Sequence, residues 1–93
     1  MISRLYTQTA MSYQVIHQPE QQQFVITLSQ SQAYLLYRLD PQNHAINFYS
    51  TFVPDEARGL GLARLLTETG LAWAQQQQLT IHADCWYVQK FLP

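Results

Sequence analysis

The stretch "VPDEARGLGLARLL", residues 53–66, decides the fold. It holds two of the chain's three glycines, Gly59 and Gly61, where a β-branched apolar run gives way to a helical pattern. Glycine in that setting marks a sharp bend of the backbone or the close approach of another group. Beyond it, Leu62, Leu65, Leu66, Thr69 and Trp73 fall on one stripe of a helix running from Gly61 to about Gln77. Gly70 lies inside that helix at a cost of up to about 1 kcal/mol relative to alanine, which points to close packing against a strand. Before it, "AINFYSTFV" (45–53) alternates Ile46, Phe48, Ser50 and Phe52 against Asn47, Tyr49, Thr51 and Val53. Tyr49 and Val53 on the second face suggest a strand covered on both sides for part of its length. After the helix, "LTIHA" (79–83) reads as a short strand. Strand, crossover helix and strand favour a parallel pair with a right-handed connection. Ligands of such units sit outside the carboxyl ends of the strands, near helix N-termini.

Working outward, "YQVIHQ" (13–18) and "QFVITLS" (23–29) flank Pro19-Glu20 and read as a hairpin. "AYLLYRLD" (33–40) is a third strand-like run, closed by the turn residues Asp40-Pro41-Gln42-Asn43. The final "DCWYVQKFLP" opens a second, short helix with Asp84 as its expected N-cap. Residues 1–12, "MISRLYTQTAMS", show no sustained period and read as a flexible N-terminal arm, with Met11 a second candidate start. Residues 13–93 read as one domain. The fold expected is α+β: a mixed sheet of about five strands, antiparallel and then a parallel strand-helix-strand unit, with a short C-terminal helix.

Composition narrows the class. Ninety-three residues with 47% apolar and 13% aromatic content suit one globular domain with a modest core. A formal net charge of −1, with five basic residues scattered along the chain, argues against a nucleic-acid partner. No apolar stretch has the length of a membrane span and the start lacks a signal-peptide layout, so no membrane partner is expected. The single cysteine, Cys85, leaves no internal disulfide and fits a reducing cytoplasm. A monomer or weak dimer is expected. His17, His44 and His82 lie on three separate segments without metal-ligand spacing, so no metal site is expected.

The glycine pair has a chemical reading. Backbone N–H groups at a helix N-terminus lack partners and stand at the positive end of the dipole, so anions bind there. Glycine lets a phosphate reach those groups without meeting a side chain. Arg58 and Arg64 add positive charge beside the turn. The plainer reading is that Gly59 opens the turn and Gly61 lets helix meet sheet.

Arg58-Gly59-Leu60-Gly61-Leu62-Ala63 resembles the Arg/Gln-x-x-Gly-x-Gly/Ala signature of the GNAT superfamily of N-acetyltransferases, whose loop holds the pyrophosphate of acetyl-coenzyme A. The match is closer to the minimal single-domain branch, where Thr-x-Val-Pro precedes the loop and Cys-x-Tyr-Val/Ile follows the last strand. Here these are Thr51-Phe52-Val53-Pro54 and Cys85-Trp86-Tyr87-Val88, and "YRLD" (37–40) resembles the branch's second strand. The resemblance spans about residues 14–93. It implies a GNAT-like fold and an acetyl-coenzyme A-dependent N-acetyltransferase acting on a small amine, an exposed lysine or an N-terminal amine. Acetyl-coenzyme A would then be a co-substrate, contacted by Phe52 and Val53, by Arg58, Gly59, Leu60, Gly61, Leu62 and Ala63, and by Tyr87.

The branch commonly has His where this chain has Ser50, and some members have Glu where it has Phe52. No carboxylate or histidine base is therefore supplied by that strand. Cys85 matches the position that the branch treats as reactive, at a strand end and a helix N-terminus where a thiolate is favoured. Its chemical role would be that of a nucleophile that takes the acetyl group or acid/base work within direct transfer, and the plainer reading is a buried cysteine that only packs. In the wider superfamily a tyrosine on the last helix often protonates the departing coenzyme A sulfur; Tyr87, two residues after Cys85, is a candidate for that role, with packing the plainer reading. Two other classes remain beside the enzyme: a coenzyme A or acyl-coenzyme A binding module without turnover, and a small interaction domain whose glycines serve packing alone.

Overall fold

A computed structural model describes residues 13–93, and the expected arm, with its candidate start at Met11, lies outside them. Five strands form one sheet in the order of the chain: β1 (Ile16–Gln18), β2 (Gln23–Thr27), β3 (Gln32–Asp40), β4 (Ala45–Phe52) and β5 (Thr80–Ala83). β1 to β4 pair antiparallel and β4 pairs parallel with β5 through the crossover helix α1 (Leu62–Gln76). A single helical turn, α2 (Trp86–Gln89), follows β5. This is the open mixed α+β sheet expected of a GNAT-like chain.

The joins follow from local chemistry. Between β3 and β4 the Asp40 side chain accepts from the Asn43 side-chain amide at 2.7 Å, and His44 takes the left-handed conformation that reverses the chain. Between β1 and β2, Gln22 has positive φ after Pro19, and its backbone N–H donates to the Pro19 carbonyl.

One face of the sheet carries Phe24, Ile26, Leu35, Tyr37, Ile46 and Phe48, all essentially buried. α1 covers that face with Leu62, Leu66, Thr67, Gly70, Leu71 and Ala74. The covering stripe is rotated from the expected one: Leu65, Thr69 and Trp73 lie at its flank, half-buried. Gly70 sets the rotation, because a Cβ there would stand 2.8 Å from Leu35 Cδ2 and 3.1 Å from Phe48 Cε1. The bulky strand residues occupy the space a side chain would need, so the helix settles with its glycine against them.

β4 also departs from simple alternation. Leu36 pairs with Ser50 and Tyr37 with Phe48, so Tyr49 is an extra residue, a β-bulge. A bulge reverses the parity of everything after it. Thr51, opposite Leu35, joins the helix-covered face with Ile46 and Phe48, whereas Phe52, opposite Tyr34, turns to the other face. Tyr49 points outward too, with the Arg38 guanidinium 4.3 Å from its ring centre. The alternation read from sequence is thus correct up to Phe48 and inverted beyond it.

Candidate functional site

β4 and β5 stay together only from Ala45/Thr80 to Phe48/Ala83. The Cys85 N–H then donates to the Phe48 carbonyl at 3.1 Å, and from there β4 continues to Phe52 in register with β3. The parallel pair therefore splits at its carboxyl end, and among the described residues no strand pairs with the β5-facing edge of Tyr49 to Phe52.

The N-terminus of α1 stands beside that split. Gly61 is its N-cap, with φ +79° and no side-chain cap, and Gly59 has φ +86°. Glycine takes such angles at no steric cost, and among other residues asparagine and aspartate adopt them most readily. The first helical bond runs from the Leu65 N–H to the Gly61 carbonyl, which leaves the amides just before Leu65 without helical partners. A Cβ built on Gly59 or Gly61 meets nothing within 4 Å, so the space over the turn is open. A short 3₁₀ turn, Asp55–Ala57, links β4 to this loop and buries Ala57 against the core.

These features wall one cavity of about 490 Å³, bordered by Thr51 of β4, Val53 just beyond it, the Arg58–Arg64 turn, and Cys85, Trp86 and Tyr87. Of the residues expected to contact a ligand, Val53, Arg58, Gly59, Gly61, Leu62, Ala63, Tyr87 and Cys85 are brought together here. Phe52 is not: the bulge turns it to the far face, where it is 43% exposed against Tyr34 at a ring distance of 5.3 Å. Leu60 is not either, because its side chain packs onto the core. Thr51, Ala57 and Trp86 border the cavity as well. Thr51 sits in the Thr-x-Val-Pro motif, but its direction depends on the bulge. Trp86 is 69% exposed, a wall of the cavity's mouth and not a core residue.

The arginines contribute less net charge than expected. Arg58 lies 3.3 Å from Asp55 and also donates to the Val53 carbonyl, and Arg64 pairs with Glu68 at 3.0 Å. Both pairs are exposed and worth little. The open amides of the turn are the durable positive feature.

Cys85, 8% exposed, is itself the N-cap of α2, in place of the expected Asp84. Asp84 is held instead by Asn47, whose amide donates to its carboxylate and accepts from its N–H, both at 3.0 Å. α2 is four residues long, so its dipole does less for a thiolate than a full helix would. The thiol's hydrogen-bond partner is Thr51, with Oγ1 3.3 Å from Sγ. His82 is exposed and borders a separate hollow with Arg38, Asp40 and Asp84, away from the Cys85 cavity.

A split parallel pair with an uncapped, glycine-opened helix beside it is a geometry suited to an extended ligand with an anionic segment. Sequence comparison gives the class its name: residues 23–93 match the GCN5-related N-acetyl-transferase family. The chain belongs to that family. It is similar to Protein NATD1 of Gallus gallus, 33% identical over 81 residues that cover 85% of this chain and 73% of the relative. It is similar also to Protein NATD1 of Bos taurus (34% over 80 residues, 84% of this chain and 70% of the relative) and of Homo sapiens (32% over 80 residues, with the same coverage).

Proposed function

We propose that the chain is an acetyl-coenzyme A-dependent N-acetyltransferase that moves an acetyl group to an amine, using Cys85. The observation that carries this reading is one cavity in which the open amides of the Gly59–Ala63 turn, the unpaired edge of β4 and the Cys85 thiol share walls. Each part answers a part of the ligand. Open amides and two left-handed glycines suit a pyrophosphate. The free edge of β4 presents backbone groups to the amides of a pantetheine chain, as an added strand would. The thiol lies where the split begins, near the position that places the acetyl group at the chemistry.

An acetyl transfer to an amine needs a place for the acetyl group and a destination for the amine's proton. Ser50 and Phe52, which face away from the cavity, supply neither. Cys85 borders it as the candidate nucleophile or base, and Tyr87, on the same wall, is the candidate acid that returns a proton to the departing coenzyme A sulfur. The acceptor is a small amine, an exposed lysine or an N-terminal amine.

The test is incubation with acetyl-coenzyme A followed by intact and peptide mass spectrometry, beside turnover with an amine panel. Turnover that collapses in Cys85→Ala while coenzyme A binding persists supports the reading. An acetyl adduct on Cys85 assigns it as nucleophile, and its absence with the same collapse assigns acid/base work. Binding without turnover in the parent protein would leave a coenzyme A-binding module instead.

A further inference from the structure

We propose that Thr51 is a positioning residue, holding the Cys85 sulfur toward the cavity. The proposal rests on the reading of Cys85 given above, and deepens it. Thr51 Oγ1 and Cys85 Sγ are 3.3 Å apart, within hydrogen-bond reach for sulfur, although 34 residues separate them in the chain. Both border the same cavity.

Their meeting depends on two features of the sheet. The bulge at Tyr49 brings Thr51 to the helix-covered face. The bond from the Cys85 N–H to the Phe48 carbonyl fixes the cysteine backbone against the same strand. A cysteine side chain has three staggered positions, and a partner on one of them selects it. Nothing else in the described surroundings competes for that role. Cys85 makes no side-chain cap to α2, and Ser50, the neighbouring hydroxyl, lies on the other face. The cavity's two arginines are engaged by Asp55 and Glu68.

When the sulfur carries charge, the Thr51 hydroxyl donates to it. Hydrogen bonds to charged groups are stronger than neutral ones. Removing this donor without changing the shape should slow the reactions of the thiolate and leave the fold intact. Valine has threonine's shape without its hydroxyl, and serine keeps the hydroxyl without the methyl group.

The experiment follows iodoacetamide alkylation of Cys85 across a pH series in the parent, Thr51→Val, Thr51→Ala and Thr51→Ser, with the Tm of each measured alongside. Thr51→Val should alkylate about tenfold more slowly at neutral pH. Thr51→Ser should restore the parent behaviour. Thr51→Ala supplies a second hydroxyl-free side chain should valine unfold the protein. Alkylation at the parent rate in the folded hydroxyl-free variant, or a serine variant as slow as it, overturns the proposal. Iodoacetamide needs no coenzyme A, so slowed alkylation in a protein that binds none would sink the acetyltransferase reading and leave the Thr51–Cys85 pairing standing.

Discussion

The three glycines occupy two different physical situations, and substitution separates them. At Gly70 the backbone is helical and alanine would gain up to about 1 kcal/mol in propensity. Its Cβ, however, would meet Leu35 and Phe48 at 2.8 and 3.1 Å, and both are fully buried. Overpacking costs about 1–3 kcal/mol and outweighs the propensity gain. Gly70→Ala should therefore lower the urea midpoint at unchanged slope. A midpoint equal to the parent's or higher would show that the core yields there. At Gly61 the constraint is the backbone angle, with open space above it. Valine would strain that left-handed position, whereas asparagine tolerates it and still places a side chain over the turn. Gly61→Asn should thus fold with a Tm close to the parent's, while Gly61→Val should melt lower. Thermal unfolding by circular dichroism checks the order of the two.

At the scale of elements, β1 is a three-residue edge strand held by His17. The imidazole stacks on Phe24 at 4.1 Å, meets Trp73 edge-on at 4.6 Å, and pairs through Nε2 with the Tyr37 hydroxyl at 2.6 Å. Burial lowers the His17 pKa below its usual 6.5, so the folded protein binds this proton less readily than the unfolded chain. Stability from this group is complete above the unfolded value and is lost as pH falls through the lower folded one. Between about pH 7 and about pH 5 the Tm should fall, and His17→Gln should fall less over that interval while starting lower, having lost the ring stacking. An equal fall in both proteins would remove His17 from the acid response. The elements themselves were largely legible. Strand alternation, the Pro19-Glu20 and Asp40–Asn43 turns and the leucine spacing of α1 located five strands and a crossover helix, because each signal is local. What failed to show was tertiary. The bulge at Tyr49 is settled by pairing with β3, and nothing in "NFYST" announces it. The family resemblance puts Phe52 beside Val53 at the site, and the bulge turns the Phe52 side chain away while bringing Thr51 in. The rotation of α1 likewise depends on what Gly70 meets across the interface. Asp84 looked like a cap because its type suits one, but Asn47 on the neighbouring strand holds it.

For the molecule as a whole, sheet, helix and split place the chemistry at one end, where β4 and β5 part beside the start of α1. The motifs in the sequence were enough to show that end and its family, since Arg58 to Ala63 and Cys85 to Val88 carry their spacing openly. The central claim is that this end binds coenzyme A through the amides of residues 59–63. Ligand that binds only the folded chain raises its stability by about 2.7 kcal/mol at a hundredfold excess over Kd. For a domain of this size that is a Tm rise of roughly 10 °C or more. The most direct measurement is a calorimetric titration of coenzyme A into the parent and into Gly61→Asn, with thermal unfolding of both. The account predicts saturable binding and a raised Tm for the parent, and loss of both effects in a Gly61→Asn protein that melts like the unliganded parent. A parent without binding at millimolar coenzyme A, or a folded Gly61→Asn variant that binds as tightly as the parent, would contradict it.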